Sequence, residues 1–438
     1  MSDRPTRRRR LLRALAVDAG LLRRRRDFRL LVGGQVVSLA GSELTFVAVP
    51  FQAYALTGSS LAVGLLGVAE LVPILALALV GGALADAFDR RRLVAIAELG
   101  SVAVAAALIV NAIVPDPRLW VLYVCAALMA AFTALRRPPL DALVPQLVER
   151  DEVKAAAAIE SLVYNTGSVA GPALAGVLIA VAGLGVTYAI DLLTFVVSLA
   201  TLWAMRTPPP PADAPAPSWR GIVEGIRYAR SRQELLGTYL VDINAMFFGM
   251  PMALFPALAQ RYGGPQVLGF MYAAPAAGSI VVSATSGWAR HVHRHGRAVA
   301  LAAAGWGLAI VAFGIADALW VALACLAVAG AMDAISGLFR TTIWNETIPE
   351  HLRGRLAGIE MISWSTGPLL GDTRAGAVAT VASLRSSLVS GGVLCVAGTV
   401  VLALSLPRFW RYDARAAADP AGAAARGAAP EPPPSPRP

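Results

Sequence analysis

The chain has 438 residues, of which 57% are hydrophobic and only 15% are charged, and its formal net charge is +10. Because soluble domains carry about 25% charged residues, this composition excludes an ordinary soluble globular protein. Repeated apolar runs of roughly 20 residues, the length of a helix that crosses a bilayer, indicate instead an all-α membrane protein with many spans.

The apolar runs predict about twelve spanning helices in two groups of six. A basic cytoplasmic tail of residues 1–27 precedes the first bundle, residues 28–206. The linker, residues 207–233, begins with a Pro-rich stretch and ends in a segment whose pattern predicts an amphipathic helix on the membrane surface. Residues 234–410 form the second bundle, and residues 411–438 form an Ala- and Pro-rich tail that we expect to be disordered.

Arginine placement predicts how the helices are oriented. Connections on one side hold clusters such as residues 7–10 and 23–26, whereas those on the other side hold Arg118, Arg261 and Arg385. By the positive-inside rule, both termini are cytoplasmic, and we expect a multi-pass protein of the bacterial inner membrane. This bias also accounts for the net charge, so no nucleic-acid partner is needed to explain it.

The two bundles share an internal repeat. Residues 119–131 align without a gap with residues 319–331, and residues 159–176 align with residues 359–376 through the shared pattern IE-x5-TG-x3-G-x4-G. An even number of spans separates the copies, so the bundles run the same way across the membrane. Two parallel halves joined by a long linker are typical of transporters that work by alternating access.

The segment GGALADAFDRRRL, residues 81–93, follows the second predicted helix. It resembles the loop signature of the major facilitator superfamily, G-x-L-a-D-r-x-G-r-k, with Ala87 and Asp89 as departures. An acid at a helix end can pair with arginines or cap a neighbouring helix dipole and so hold one conformer. A plain positive-inside loop is the alternative. The positions that carry the predicted gating role are Gly82, Asp86, Arg90 and Arg91.

The segment GSVAGPALAG, residues 167–176, lies within the fifth predicted helix. Small residues every four positions let helices approach closely in lipid, and proline is tolerated there because neighbours satisfy the freed carbonyl. The segment resembles the antiporter motif of the superfamily, which implies efflux rather than uptake; a static packing face is the alternative. The matching residues are Gly167, Gly171, Pro172 and Gly176.

The resemblance to the superfamily covers roughly residues 28–410 and implies its fold, with two parallel six-helix halves. Segments at 111–123, 252–260, 268–279 and 348–359 are similar to the enterobactin (siderophore) exporter group. That similarity implies proton-driven export of a siderophore or a related medium-sized organic compound. Related groups export macrolides and other drugs, so multidrug export stays open as an alternative.

Acidic residues inside the predicted spans are the remaining signal, because each charge costs about 2.5–3.5 kcal/mol at a helix centre. In the superfamily the first and seventh helices line the central cavity. The resemblance therefore makes Glu43 and Asp242 our candidates for proton coupling, with cavity hydrogen bonding or structural pairing as alternatives. Gln35 and Asn244 are candidates to line the cavity.

No phosphate-binding loop, nucleophile elbow or zinc-protease motif is present, so we predict neither an enzyme nor an ATP-driven pump. We expect no cofactor and no metal, and we interpret His291, His293 and His295 as a basic flanking segment. The expected partners are a small-molecule substrate, protons and membrane lipids, and the oligomeric state stays open. Rival interpretations are an uptake permease, a lipid flippase and a non-transporting membrane scaffold.

Overall fold

The computed structural model describes residues 20–87, 89–206, 227–349 and 353–415, apart from the side chains of some helical residues, 78–87 among them. Within these ranges every regular element is helical. The first half begins with four separate helices, each long enough to span a bilayer. They are α1 (Arg26–Thr57), α2 (Ser60–Ala87), α3 (Arg90–Ile113) and α4 (Leu119–Leu147).

The next element, Val153–Ala204, is two spans joined at Gly183. Its 52 residues would form a straight helix about 78 Å long at 1.5 Å per residue, more than twice the hydrocarbon thickness of a bilayer. Gly183 has φ +80°, a conformation that glycine adopts without steric cost, and the helix kinks there. We call the two parts α5 (153–182) and α6 (184–204).

In the part of the chain that the structure describes, the second half holds six further long helices. They are α7 (Gln233–Gly249), α8 (Pro265–Thr285), α9 (His295–Ile315), α10 (Leu319–Thr347), α11 (Arg353–Val381) and α12 (Leu384–Ser405). Among the described residues, ten elements are long and apolar enough to cross a membrane, with Val153–Ala204 counted once. The ten do not include α11, which has 29 residues but carries charges within its length.

Exposed aromatic and aliphatic side chains support a membrane environment. Trp120 and Trp320 begin the equivalent helices α4 and α10 and are 64% and 80% exposed, while Trp203 near the end of α6 is 65% exposed. Tryptophan is enriched where spanning helices meet the two membrane–water interfaces. The predicted all-helical membrane fold is therefore confirmed.

The halves meet along two helix pairs, α2 with α11 and α5 with α8. We call the face of the molecule that carries Arg25 and Tyr412 the terminal face, and the other the opposite face. On the seam between the halves, Gly64 of α2 lies against the backbone of Asp372, and Gly269 of α8 lies against the backbone of Pro172. Backbones approach this closely only where a residue has no side chain.

The predicted repeat is visible in three dimensions. The helices α4 and α10 begin and end 200 residues apart. In α5, Gly176 packs on α8 of the other half, and in α11 the equivalent Gly376 packs on Ser60 of α2. Equivalent residues therefore make equivalent contacts across the seam, which is the expected result for two halves related by an internal two-fold.

Helix α4 is longer than the sequence indicates. Prolines at 138 and 139 favour an end near Arg136, yet the helix continues to Leu147 through Pro138, Pro139 and Pro145. Its equivalent α10, which the sequence also indicates to be shorter, reaches Thr347. Prolines persist in helices packed among neighbours that satisfy the freed carbonyls, so Arg136 lies inside a helix rather than in a loop.

The seventh span is broken rather than continuous. Helix α7 ends at Gly249, Pro251 interrupts it, and a short helix, Phe255–Tyr262, completes the span. Two charged residues of α11 hold the break: Arg374 Nη2 donates to Phe248 O at 2.7 Å, and Ala253 N donates to Asp372 Oδ1 at 2.9 Å. These bonds satisfy backbone groups that the interrupted helix leaves without partners.

A cluster of ion pairs ties the start of the chain to the terminal face. Arg25 pairs with Glu149 and, through Nε at 2.8 Å, with Glu152 in the α4–α5 connection. The backbone N–H of Glu149 and the Arg25 guanidinium lower the pKa of the Glu152 carboxyl. The cluster therefore stabilises the fold above the unperturbed carboxyl pKa and loses that contribution as the pH falls through the lowered value.

The tail of residues 1–27, the linker and the C-terminal tail fall largely outside the described residues. At the end of the linker, residues 227–231 are helical, and the Tyr228 hydroxyl donates to Thr347 O at 2.8 Å. Ala229 is buried with Leu235 and Leu356. This last turn of the linker packs on the terminal face of the second half.

We predict that Gly64→Ala destabilises the closed seam. A Cβ at Gly64 would lie 2.5 Å from Asp372 O, so the backbones must separate, and overpacking of this kind costs about 1–3 kcal/mol. Thermal unfolding in detergent measures the loss. A cysteine at Ser60, buried against Gly376, should also become reactive to a membrane-impermeant thiol reagent.

Gly33→Ala is the matched control, because a Cβ there meets nothing within 4 Å. Equal unfolding temperatures for the two alanine variants would contradict the seam contact.

Candidate transport site

Glu43 lies on α1 against the glycine motif of α5. A Cβ added at Gly171 would collide with Glu43 Cβ and would lie 2.8 Å from its Cγ. Glu43 is partly buried, and among the described residues it makes no hydrogen bond or ion pair. The carboxyl therefore sits at a helix contact that exists only because residue 171 has no side chain.

The glycines of the α5 motif serve two different contacts. Gly167 and Gly171 face Leu39 and Glu43 of α1, within the same half. Gly176 faces the other half, where a Cβ would lie 2.5 Å from Pro265 O and 2.8 Å from Gly269 N. One helix thus contacts the candidate acid and the seam at the same time.

The repeat copies this arrangement without the acid. In α11, Gly367 faces Met246, and Gly371 faces Met246 and Met250 of α7. The contacts make Leu39 equivalent to Met246, and Glu43 equivalent to Met250. Only the first half therefore places a carboxyl against its glycine helix.

Asp242 is buried and paired. Its carboxylate forms an ion pair with Arg340 of α10, and Arg340 Nη2 also lies 3.6 Å from Asp333 Oδ1. Asp242 is 7% exposed at its side chain and Asp333 is 41% exposed. The geometry favours structural pairing for Asp242 over a free proton carrier.

Asn244 forms hydrogen bonds with α12 of its own half. Its Nδ2 donates to Cys395 O at 2.9 Å and to Thr399 Oγ1 at 3.2 Å, both on α12. Gly398 leaves room for the amide oxygen. Asn244 and Asp242 are two residues apart on the helix, so their side chains point to different sides. The cavity role of Asn244 stays a prediction.

Gln35 lines a small cavity inside the first half, together with Glu98, Ser198 and Thr201. Glu98 is 2% exposed and pairs with Arg136 Nη1 at 2.8 Å. The same Arg136 nitrogen donates to Ser38 Oγ at 2.8 Å.

The sequence did not predict the Glu98–Arg136 pair, because the predicted fourth span ends near Arg136, whereas α4 continues to Leu147. The signal that could have found this pair is Glu98 itself, because an acid inside a predicted span needs a charged partner on a neighbouring span.

The loop signature is only partly described, since the surroundings of Gly82 and the side chain of Asp86 lie outside what the structure describes. Asp89, which replaces the usual glycine, caps α3 by accepting from Arg91 N at 2.9 Å. The Arg91 side chain donates to Leu202 O and Trp203 O at the end of α6. A cation at a helix C-terminus is favourable, so Arg91 fixes α6 to the loop. Arg90 begins α3 beside it.

Two aromatic contacts cross between the halves. Phe46 of α1 meets Tyr272 of α8 edge-on, with ring centres 5.2 Å apart. Nearer the terminal face, the Arg137 guanidinium lies 5.7 Å from the ring centre of Trp364 on α11. Trp364 is 46% exposed, so its ring is only partly covered by this contact.

Two histidines of the segment 291–295 contact charged side chains on the terminal face. His295 Nδ1 lies 3.7 Å from Glu346, and His293 Nε2 contacts the Arg415 guanidinium. Within the described ranges, no group of three or more potential metal ligands occurs.

Residues 22–423 match the family of transmembrane secretion effectors, MFS_3. The chain is 30% identical to a protein named enterobactin exporter EntS from Citrobacter koseri, over 89% of this chain and 94% of that relative. It is also 30% identical to the protein of that name from Shigella dysenteriae serotype 1, over 88% and 93% of the two chains.

Two solved structures share the fold at low sequence identity. A POT family transporter in complex with 5-aminolevulinic acid matches with TM-score 0.71 and 9% identity, over 88% of this chain and 97% of that one. The human organic anion transporter MFSD10 matches with TM-score 0.60 and 15% identity, over 86% and 99%. The predicted membership of the major facilitator superfamily is confirmed.

We predict that Gly171→Ala impairs the protein more than Gly167→Ala. The new Cβ at 171 meets the first side-chain carbons of Glu43, which cannot move without the helix, whereas at 167 it meets the flexible end of Leu39, 2.6 Å away. Unfolding temperature in detergent and transport activity are the measurements. A larger loss from Gly167→Ala would contradict the described contact.

We predict that Arg340→Gln destabilises the protein strongly, because breaking a buried ion pair by removing one partner costs about 3–5 kcal/mol. Asp242→Asn should be comparably harmful, and the double variant should recover much of the loss. Chemical unfolding of the purified wild type, the two single variants and the double variant gives the four free energies of unfolding that a double-mutant cycle needs. Additive effects would show that the two groups do not interact.

Proposed function

Because the chain belongs to the transmembrane secretion effector family of the major facilitator superfamily, we propose that it is a proton-coupled exporter of a medium-sized organic compound of the siderophore class. The named relatives export enterobactin, and they align along nearly their whole length. We propose the same general substrate class for this chain, with the solute bound between the halves and access alternating as the halves rock.

The observation that carries the proposal is the double contact of α5. Through Gly171 this helix touches Glu43, and through Gly176 it touches α8 of the other half. Any movement that opens the seam between α5 and α8 must shift α5, and it therefore changes the surroundings of the Glu43 carboxyl. This is the physical link that an antiporter needs between an ionisable group and a conformational change.

The protonation state of Glu43 determines which conformation of the transporter is favoured. A charge inside a bilayer-spanning segment costs about 2.5–3.5 kcal/mol unless water or a cation reaches it. The ionised form therefore stabilises a conformation in which water reaches α1, and the neutral form tolerates a closed one. After the solute has left, a proton from outside would neutralise Glu43. The empty transporter could then close and reopen towards the terminal face.

The orientation follows the arginine bias of the sequence. We place the terminal face in the cytoplasm, where the basic connections and the loop signature lie. In the described conformation the glycine contacts of the seam lie towards the opposite face, and Arg137 approaches Trp364 nearer the terminal face. A solute from the cytoplasm would enter past these two side chains.

The test uses purified protein in liposomes with an imposed proton gradient. Uptake of iron-free enterobactin into inside-out oriented liposomes should require the gradient and should disappear when a protonophore collapses it. Glu43→Gln should abolish gradient-driven uptake. Asp116→Asn, at a loop carboxyl that is 74% exposed, should leave uptake unchanged.

Other outcomes separate the alternatives. Transport of macrolides but not enterobactin would favour the drug-exporter alternative, and movement of a labelled lipid alone would favour a flippase. Transport that survives loss of the gradient would overturn proton coupling.

A further inference from the structure

The first half contains a small polar cavity whose lining residues all belong to that half. It lies among α1, α3, α4 and α6 and has room for about one water molecule. Its polar lining is Gln35, Glu98, Ser198 and Thr201. Leu31 and Met205 also line it, and Met205 follows the last turn of α6, so the cavity lies towards the terminal face.

Glu98 is only half satisfied in this cavity. Its side chain is 2% exposed, and its Oε1 accepts from Arg136 at 2.8 Å and from Ser198 Oγ at 3.1 Å. Its Oε2 is buried and has no hydrogen-bond partner among the described residues. A buried carboxylate oxygen without a donor is costly, so the cavity beside it calls for a water molecule or a proton.

Few charged side chains lie near Glu98 among the described residues. Helix α4 contributes Arg136, and α6 contributes Asp191, which is fully buried and lies within electrostatic range of both Glu98 and Arg136. Helix α1 presents the uncharged Gln35 and Ser38. On α3 itself the nearest cations are the arginines at residues 90–92, about two turns away.

The repeat explains why the cavity exists. By the contacts of the glycine helices, Gln35 is equivalent to Asp242, and the 200-residue offset makes Leu140 equivalent to Arg340. In the second half this pair of positions is filled by an ion pair. In the first half a neutral amide and a leucine stand there, and the space beside Glu98 stays open.

We propose that this cavity is a proton-binding site, in which a bound water molecule delivers a proton to Oε2 of Glu98. A hydronium ion that enters from the terminal face gives up its proton to Oε2 and stays as water, held by Gln35 and Thr201. Neutral Glu98 loses its ionic attraction for Arg136, which keeps its bond to Ser38. The site is separate from Glu43 and lies inside one half rather than between the two.

The consequence for transport rests on the proposed function. Arg136 is adjacent in α4 to Arg137, whose guanidinium faces Trp364 of the other half. Loss of the Glu98–Arg136 ion pair weakens the attachment of the part of α4 that carries this contact. The occupancy of the Glu98 site would then alter how firmly the halves meet near the terminal face.

The binding step is tested without any substrate. Infrared difference spectra of the purified protein, recorded while the pH is lowered, should show a carboxylic-acid carbonyl band that is missing in Glu98→Gln and retained in Glu43→Gln. Arg136→Lys should shift the midpoint of that band, because the pairing geometry changes. An identical set of bands in wild type and Glu98→Gln would overturn the proposal.

A second measurement tests the water and the coupling. Thr201→Val keeps the side-chain shape but removes a hydroxyl from the lining, and it should slow deuterium exchange of the Glu98 carboxyl. Gradient-driven export should fall in Glu98→Gln while solute exchange at equal pH continues. If no solute moves in any variant, the proposed function fails, but the infrared bands still decide whether Glu98 binds a proton.

Discussion

Close backbone contact between helices is the constraint on which this structure depends. In lipid there is no hydrophobic drive to hold helices together, so packing and a few polar contacts must do it. Glycines at the α2–α11 and α5–α8 pairs let backbones touch, and Thr373 Oγ1 adds a hydrogen bond to Gly64 O at 2.8 Å. Because these contacts are made by backbone rather than by interdigitated side chains, the two halves can separate at the seam without side chains having to change rotamer.

The polar groups of the interior are arranged by a second rule, that a charge away from water needs a partner. Asp242 forms an ion pair with Arg340, and Glu98 forms one with Arg136. Asp372 and Arg374 of α11 instead form hydrogen bonds with the backbone of the broken seventh span. Glu43 departs from this rule among the described residues. An unpaired carboxyl group at the α1–α5 contact destabilises the fold. Such a cost is consistent with a role for Glu43 in the proposed transport cycle.

Much of the fold could be predicted from the sequence, because hydrophobic length and the repeat are properties of the residues themselves. The glycine motif was also informative, since close packing requires small residues at fixed spacing. Partners were not predictable in the same way. Arg340 is about a hundred residues from Asp242, and the prolines after Arg136 hid the fact that α4 continues. The hydrogen-bond partners of Asn244 lie on α12, more than 150 residues away in sequence, so its own neighbours do not reveal them.

The break in the seventh span changes which parts of the second half travel together. Residues 252–262 are separated from α7 by Pro251, and the N–H of Ala253 at their start is bound by Asp372 of α11. The first turn of this segment packs on α11, whereas the short helix Phe255–Tyr262 packs on α8. A movement of α8 or α11 away from the first half would therefore shift this segment too, and the break at Pro251 lets the two parts of the seventh span move separately.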